Sequence, residues 1–184
     1  ILRAVDLSGA TGQVDVSRLV IMGQSFGGYA ALMAATQSDR FKAVIASAAP
    51  SNLASMRGAF DPHHEILPRD GLELNPNYGW SELGQGQLGV SPWEDPAKYV
   101  RNSPVFFADQ ITAPVLLIHG DGDFVRLSQA QEMFSALYRL GKDAQLLTAY
   151  GEGHIIVSPA NRRAVTAHVL QWLAKVLAPE PFAD

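Results

Sequence analysis

Leu19-Val20-Ile21-Met22-Gly23-Gln24-Ser25-Phe26-Gly27-Gly28-Tyr29-Ala30-Ala31-Leu32-Met33-Ala34-Ala35 is the stretch that decides the fold. It opens with a short, fully apolar run, the pattern of a strand buried on both faces. It closes with the helix-forming run Tyr29 to Ala35. Between them, Gly23-x-Ser25-x-Gly27 falls on a strand-to-helix junction, the setting in which a serine nucleophile sits on a tight, strained turn. The residues around such a serine must be small, because the turn leaves their side chains no room. The turn lifts the hydroxyl above the sheet and aims a helix N-terminus at the reacting centre. The amide of Phe26 is then placed to donate to an oxyanion that develops on a carbonyl.

A serine hydroxyl needs an imidazole to take its proton, and the imidazole needs a carboxylate to hold its tautomer. After a strand–serine–helix junction the expected chain order is Ser, Asp, His. Val115-Leu116-Leu117-Ile118 reads as a strand, and His119-Gly120-Asp121-Gly122-Asp123 follows it. Ala144 to Ala149 reads as another, and Gly151-Glu152-Gly153-His154 follows that. Both loops lie at carboxyl ends of strands, where open α/β sheets place their sites. Ser25, Asp123 and His154 are therefore the expected nucleophile, acid and base. Asp121 reads as a turn former beside Gly120 and Gly122. His119 is expected to stabilise its loop, and His168 to be structural. His63-His64-Glu65 lacks the i, i+4 spacing of a helical zinc site, so neither a metal nor a cofactor is expected.

Outward from these motifs, apolar runs alternate with longer periodic stretches from Leu19 to Leu177, the βαβα pattern of a mostly parallel, doubly wound sheet flanked by helices. Ala43-Val44-Ile45-Ala46 is a further strand. Ser128 to Leu140 predicts an amphipathic helix with Met133, Phe134, Leu137 and Leu140 on one face and Gly141 as its stop. Ser158-Pro159 opens a last helix whose Val165, Val169, Trp172, Leu173 and Val176 form a buried face. The segment from about 53 to 110 is different: rich in Gly, Pro, Asn and Trp, it predicts a lid or excursion within a single domain, 1–184.

The 184 residues suffice for one domain. Fourteen basic against 18 acidic residues give a net charge of -4, which argues against a nucleic-acid partner. The absence of cysteine excludes disulfides and thiolate catalysis and leaves the compartment open. No apolar run reaches bilayer length, so no membrane span is expected. Ile1-Leu2-Arg3-Ala4-Val5 reads like the middle of an element, and an N-terminal portion is expected upstream of it.

On these residues the chain resembles the catalytic domain of the prolyl oligopeptidase family of serine peptidases. The resemblance rests on Gly12-Gln13-Val14-Asp15, Leu19 to Leu32, Ala113-Pro114-Val115-Leu116-Leu117-Ile118-His119-Gly120, Glu132 to Tyr138 and Gly151 to His154. Ser91-Pro92-Trp93-Glu94-Asp95-Pro96 through Asn102-Ser103-Pro104 adds a linker of bacterial-type members. It implies an α/β-hydrolase fold lacking its N-terminal strands here, with a β-propeller preceding it in the parent protein. It also implies a peptide or small acyl substrate, and it selects Asp123 over Asp121 as the acid. The family's second oxyanion donor, a tyrosine, belongs to the absent strands. Members that cleave after proline carry aromatic residues where this chain has Ser51-Asn52-Leu53-Ala54-Ser55-Met56-Arg57, so strict proline specificity is not expected. The position that anchors a substrate carbonyl falls on Val125, with Arg126 beside it, and Arg57 or Arg126 could favour an acidic substrate group. A sheet without its early strands has an open edge, which makes oligomers an expectation. Esterases use the same constellation. A non-catalytic binding module would be marked by loss of one of the three residues, and all are present.

Overall fold

The computed structural model describes residues 1–59 and 77–178. Its centre is β3 (Val115–Gly120), in which every residue is buried. Val115 and Leu117 enter one core while Leu116 and Ile118 enter another. The neighbouring β2 (Phe41–Ser47) repeats this, with Val44 and Ala46 on the first side and Ala43 and Ile45 on the second. Side chains alternate across a strand. A strand covered on both faces must therefore be apolar at successive positions, which explains the unbroken runs.

β1 (Leu19–Gln24) and β4 (Ala144–Ala149) complete a parallel sheet of order β1-β2-β3-β4. β1 departs from the expected full burial. Val20 and Ile21 reach the two cores, but the strand is at the sheet edge and Met22 is 66% exposed. The first core is closed by α2 (Phe26–Ala35) and α6 (Leu127–Arg139), which contribute Ala31, Leu32, Met133 and Leu137. Burial of each Leu or Met side chain among them contributes about 1.5–3 kcal/mol. Leu140 does not join them, because it lies past the end of α6 and stays exposed. The second core is closed by α7 (Pro159–Val176), which brings Val165, Val169, Trp172, Leu173 and Val176 to the sheet as its spacing predicts.

Helix α1 (Leu2–Ala10) buries no residue and is tied to the start of β2 by Asp6 and Arg40 at 2.6 Å. Between β2 and β3 the chain forms α3 (Leu53–Gly58), α4 (Asn77–Glu82), α5 (Pro96–Arg101) and a 3-10 stretch, Pro104–Gln110. Leu53, Leu88 and Tyr99 make a small third core there, with Tyr29 and Trp80 against it. Ala108 and Ile111 at its end belong to the first core. His63, His64 and Glu65 lie outside the described residues. No described helix is long and apolar enough to cross a membrane.

Candidate active site

Ser25 stands between the last residue of β1 and the first of α2, with φ 58° and ψ -124°. For a residue with a Cβ this is a strained conformation, costing on the order of 1–3 kcal/mol. The surroundings hold it there. The Ser25 amide donates to the Ser47 carbonyl of β2 at 2.8 Å, and the Ser25 carbonyl accepts from the Tyr29 amide at 3.0 Å. The turn closes so tightly that a Cβ on Gly23 would lie 2.3 Å from the backbone of Gly27. The amide of Phe26 starts α2, where the first N–H groups of a helix have no acceptor within it and the helix dipole favours negative charge.

Asp123 comes from the loop after β3 and His154 from the loop after β4. His154 Nδ1 lies 2.9 Å from Asp123 Oδ1 and 3.1 Å from Oδ2, and its Nε2 lies 3.0 Å from Ser25 Oγ. An ionised carboxylate only accepts. Nδ1 therefore carries the hydrogen, and Nε2 is left to accept from the serine hydroxyl. The Asp123 side chain has no exposed surface, and the Val125 amide donates to its Oδ1 at 2.8 Å. The Phe124 ring packs on the imidazole, 4.4 Å between centroids.

The loops that carry Asp123 and His154 are built against each other. Asp121 Oδ1 accepts from the Gly151 amide at 2.6 Å, and the Glu152 carbonyl accepts from the Gly122 amide at 3.0 Å. A Cβ on Gly120 would sit 2.4 Å from the carbonyl oxygens of Glu152 and Gly153. Glu152 itself is buried and accepts from the amides of Val157 and Ser158 and from Asn161 Nδ2. The Val157 amide, then the Asn161 side chain, hold its carboxyl below the usual glutamate range. Its charge also lies at the N-terminus of α7, the favourable end of the dipole.

His119 is buried behind Asp123, donating from Nε2 to the Val125 carbonyl, with Nε2 3.4 Å from Asp123 Oδ2. Burial pushes its pKa down, against the opposite pull of the Val125 carbonyl and Asp123. It holds the loop as a neutral ring. Val125 requires a correction. Its side chain is 1% exposed and carries no donor, so it cannot anchor a substrate carbonyl; its backbone instead links His119 to Asp123. Arg126 begins α6 and is half-buried. Arg57 has a partner of its own, Glu82 at 2.9 Å, and its guanidinium lies 4.3 Å over the Trp93 ring. His168 bridges α7 to β4 through Gln145 at 3.0 Å.

One feature escapes the sequence reading. Phe26 stacks on Tyr29 at 5.6 Å and meets Trp80 at 6.3 Å, which puts an aromatic wall beside Ser25. Trp80 arrives on a six-residue helix too short to show periodicity. Among the described residues, no group of three or more His, Asp or Glu side chains is gathered as a metal site.

A parallel sheet carrying a strained serine at the strand–helix turn after β1, with carboxylate and imidazole at the ends of β3 and β4, defines the α/β-hydrolase class. Within it, the chain belongs to the prolyl oligopeptidase family, whose model matches residues 1–180. It is 28% identical over 182 residues to dipeptidyl peptidase family member 6 of Caenorhabditis elegans, covering 98% of this chain and 23% of that relative. The acylaminoacyl peptidase of Pyrococcus horikoshii superposes with a TM-score of 0.81 at 26% identity, over 100% of this chain and 28% of that one. A puromycin-hydrolyzing peptidase of Mycobacterium tuberculosis gives a TM-score of 0.81 at 28% identity, over 99% and 25%. The chain thus spans about a quarter of the length of these relatives.

Proposed function

We propose that this chain carries the acyl-transfer centre of a serine peptidase, with Ser25 as nucleophile, His154 as base and Asp123 as the acid that holds the imidazole. The observation behind this reading is the unbroken line from Ser25 Oγ through both ring nitrogens of His154 to the buried Asp123 carboxylate, at 3.0 and 2.9 Å. Ser25 Oγ attacks the scissile carbonyl carbon as its proton passes to His154 Nε2. The Phe26 amide donates to the resulting oxyanion. His154 then protonates the leaving amine, the C–N bond breaks, and water, deprotonated by the same imidazole, hydrolyses the acyl-enzyme.

The family and the peptidase names of its relatives support an amide over an ester substrate. The aromatic group of Phe26, Tyr29 and Trp80 supports an apolar residue at the scissile carbonyl. Arg126, three residues after the acid, is assigned to anchoring a substrate carbonyl.

The test is labelling of the intact protein with a fluorophosphonate probe, beside its Ser25→Ala variant. Covalent label on the Ser25 peptide and none in the variant is the expected result. Label that persists in the variant, or wild-type protein that stays unlabelled, overturns the reading. Aminoacyl-naphthylamides and p-nitrophenyl esters assayed together test the substrate class, and turnover of the esters with none of the amides would sink the peptidase half.

A further inference from the structure

Gln24 is the residue between the elbow glycine and the nucleophile, a position at which the turn makes no steric demand. The close approach belongs to Gly23 and Gly27, whereas the Gln24 side chain is on the exposed surface. Yet it has a specific partner: its Nε2 donates to the main-chain carbonyl of His154 at 2.8 Å, across 130 residues of sequence. Resting on the assignment of His154 as the base, we propose that Gln24 is a positioning residue that fastens the base loop directly to the nucleophile elbow.

The other constraints on the His154 loop act from elsewhere. Asp123 orients the ring and Phe124 packs on it, Asp121 and Gly122 hold the loop backbone, and Glu152 ties the loop to the N-terminus of α7. Apart from the hydrogen bond of the ring to Ser25 Oγ, none of these refers the histidine to the serine. Gln24 does, because its own backbone is joined to Ser25 and paired in the sheet with Ser47. Holding the carbonyl also leaves the ring free to turn about its side-chain bonds. The imidazole must accept a proton from Oγ and later deliver it to a leaving amine slightly displaced from Oγ. A clamp on the main chain fixes where the His154 backbone stands relative to Ser25 without opposing that small swing. Loss of the clamp should lower the rate of the chemical step and leave substrate binding unchanged.

Gln24→Met in the intact protein keeps the length of the side chain and removes the donor, while Gln24→Lys restores a donor on a stem of similar reach. For Gln24→Met the expected result is about a tenfold fall in both kcat on an aminoacyl-naphthylamide and the second-order rate of fluorophosphonate labelling, the scale of one lost hydrogen bond. KM should be unchanged, and Gln24→Lys should recover most of the rate. The urea midpoints of both variants should match wild type, since the site is exposed. Three outcomes overturn the proposal: rates within twofold of wild type for Gln24→Met, a loss confined to KM, or an equal loss in the Met and Lys variants. These are separable from failure of the underlying assignment. If Ser25→Ala abolishes labelling while Gln24→Met labels at the wild-type rate, only the positioning role falls. If label persists in Ser25→Ala, the assignment itself falls.

Discussion

The loops at the carboxyl edge of the sheet and the excursion between β2 and β3 are fastened in different ways. At the carboxyl edge, backbone closes on backbone beside the side-chain bonds: Gly23 closes on Gly27 within one turn, and Gly120 closes on Glu152 and Gly153 of a loop from a different strand, at separations that admit no side chain. In the excursion, comparably tight backbone contact is local, as where Gly86 meets Ser81, and side chains join segments distant in sequence. Gln129 of α6 is buried, and its Oε1 accepts from the amides of Ser51 and Asn52 at 2.9 Å each. Ser103 Oγ accepts from the Leu53 amide at 2.8 Å, the Asn52 side chain caps α3, and Arg57 latches α3 to α4 through Glu82. Close backbone packing resists displacement, as a site needing sub-ångström placement requires. The latches of the excursion rest instead on single hydrogen bonds and one ion pair.

Gly120→Ala should give the largest effect and is the sharpest attack on the rigid half. The added methyl must push the His154 loop away from the Asp123 loop. A displacement of about 1 Å costs on the order of 100-fold in rate, with a stability loss of about 1–3 kcal/mol. kcat/KM and thermal unfolding measure both, and a variant with wild-type activity would show that the two loops can separate freely. Gln129→Leu carries the comparison into the excursion. It strands the buried Ser51 amide and the adjacent Asn52 amide, for a cost of about 2–3 kcal/mol. The urea midpoint should fall at constant slope, while fluorophosphonate labelling of the folded protein persists. Loss of labelling in folded protein would erase the distinction between the halves.

A smaller effect concerns pH. The Glu152 carboxyl titrates below its ordinary value in the folded protein. Its stabilisation is therefore complete above the unfolded value, roughly 4.3, and is lost as pH falls through the lower folded value. Wild type should lose stability over that acid range relative to Glu152→Gln, and the two should run parallel above about pH 5. Urea midpoints against pH decide it, and parallel curves throughout would mean that the carboxylate contributes nothing. The smallest effect is expected from Arg57→Met, which keeps the apolar stem. A partly exposed ion pair contributes about 1 kcal/mol or less, so KM should move less than tenfold with kcat intact. A 100-fold loss confined to acidic peptides would instead restore Arg57 as a reader of substrate charge.

The same contrast governs what could be read in advance. A tight turn demands glycine at fixed offsets, so Gly23-x-Ser25-x-Gly27 and Gly151-Glu152-Gly153-His154 were legible as loops with a purpose. Runs such as Val115 to Ile118 announced strands because two covered faces leave no polar position. The exposure of Met22 was not legible, since an edge strand and a central one share the same apolar run until their neighbours are known. Nor was the burial of Val125, which stands where the family resemblance places a substrate anchor. Its depth depends on His119 taking its carbonyl and Asp123 its amide.

By itself, then, the sequence determined the strand-and-helix alternation, the serine turn, and the later loops on which a carboxylate and then an imidazole follow a strand. These are local matters of period, glycine placement and chain order. Only the tertiary structure decided that Trp80 meets Phe26, that Arg57 is matched by Glu82, and that Gln24 reaches His154. Each of those contacts joins residues far apart in the chain through side chains whose direction is set by packing, and no periodicity records it.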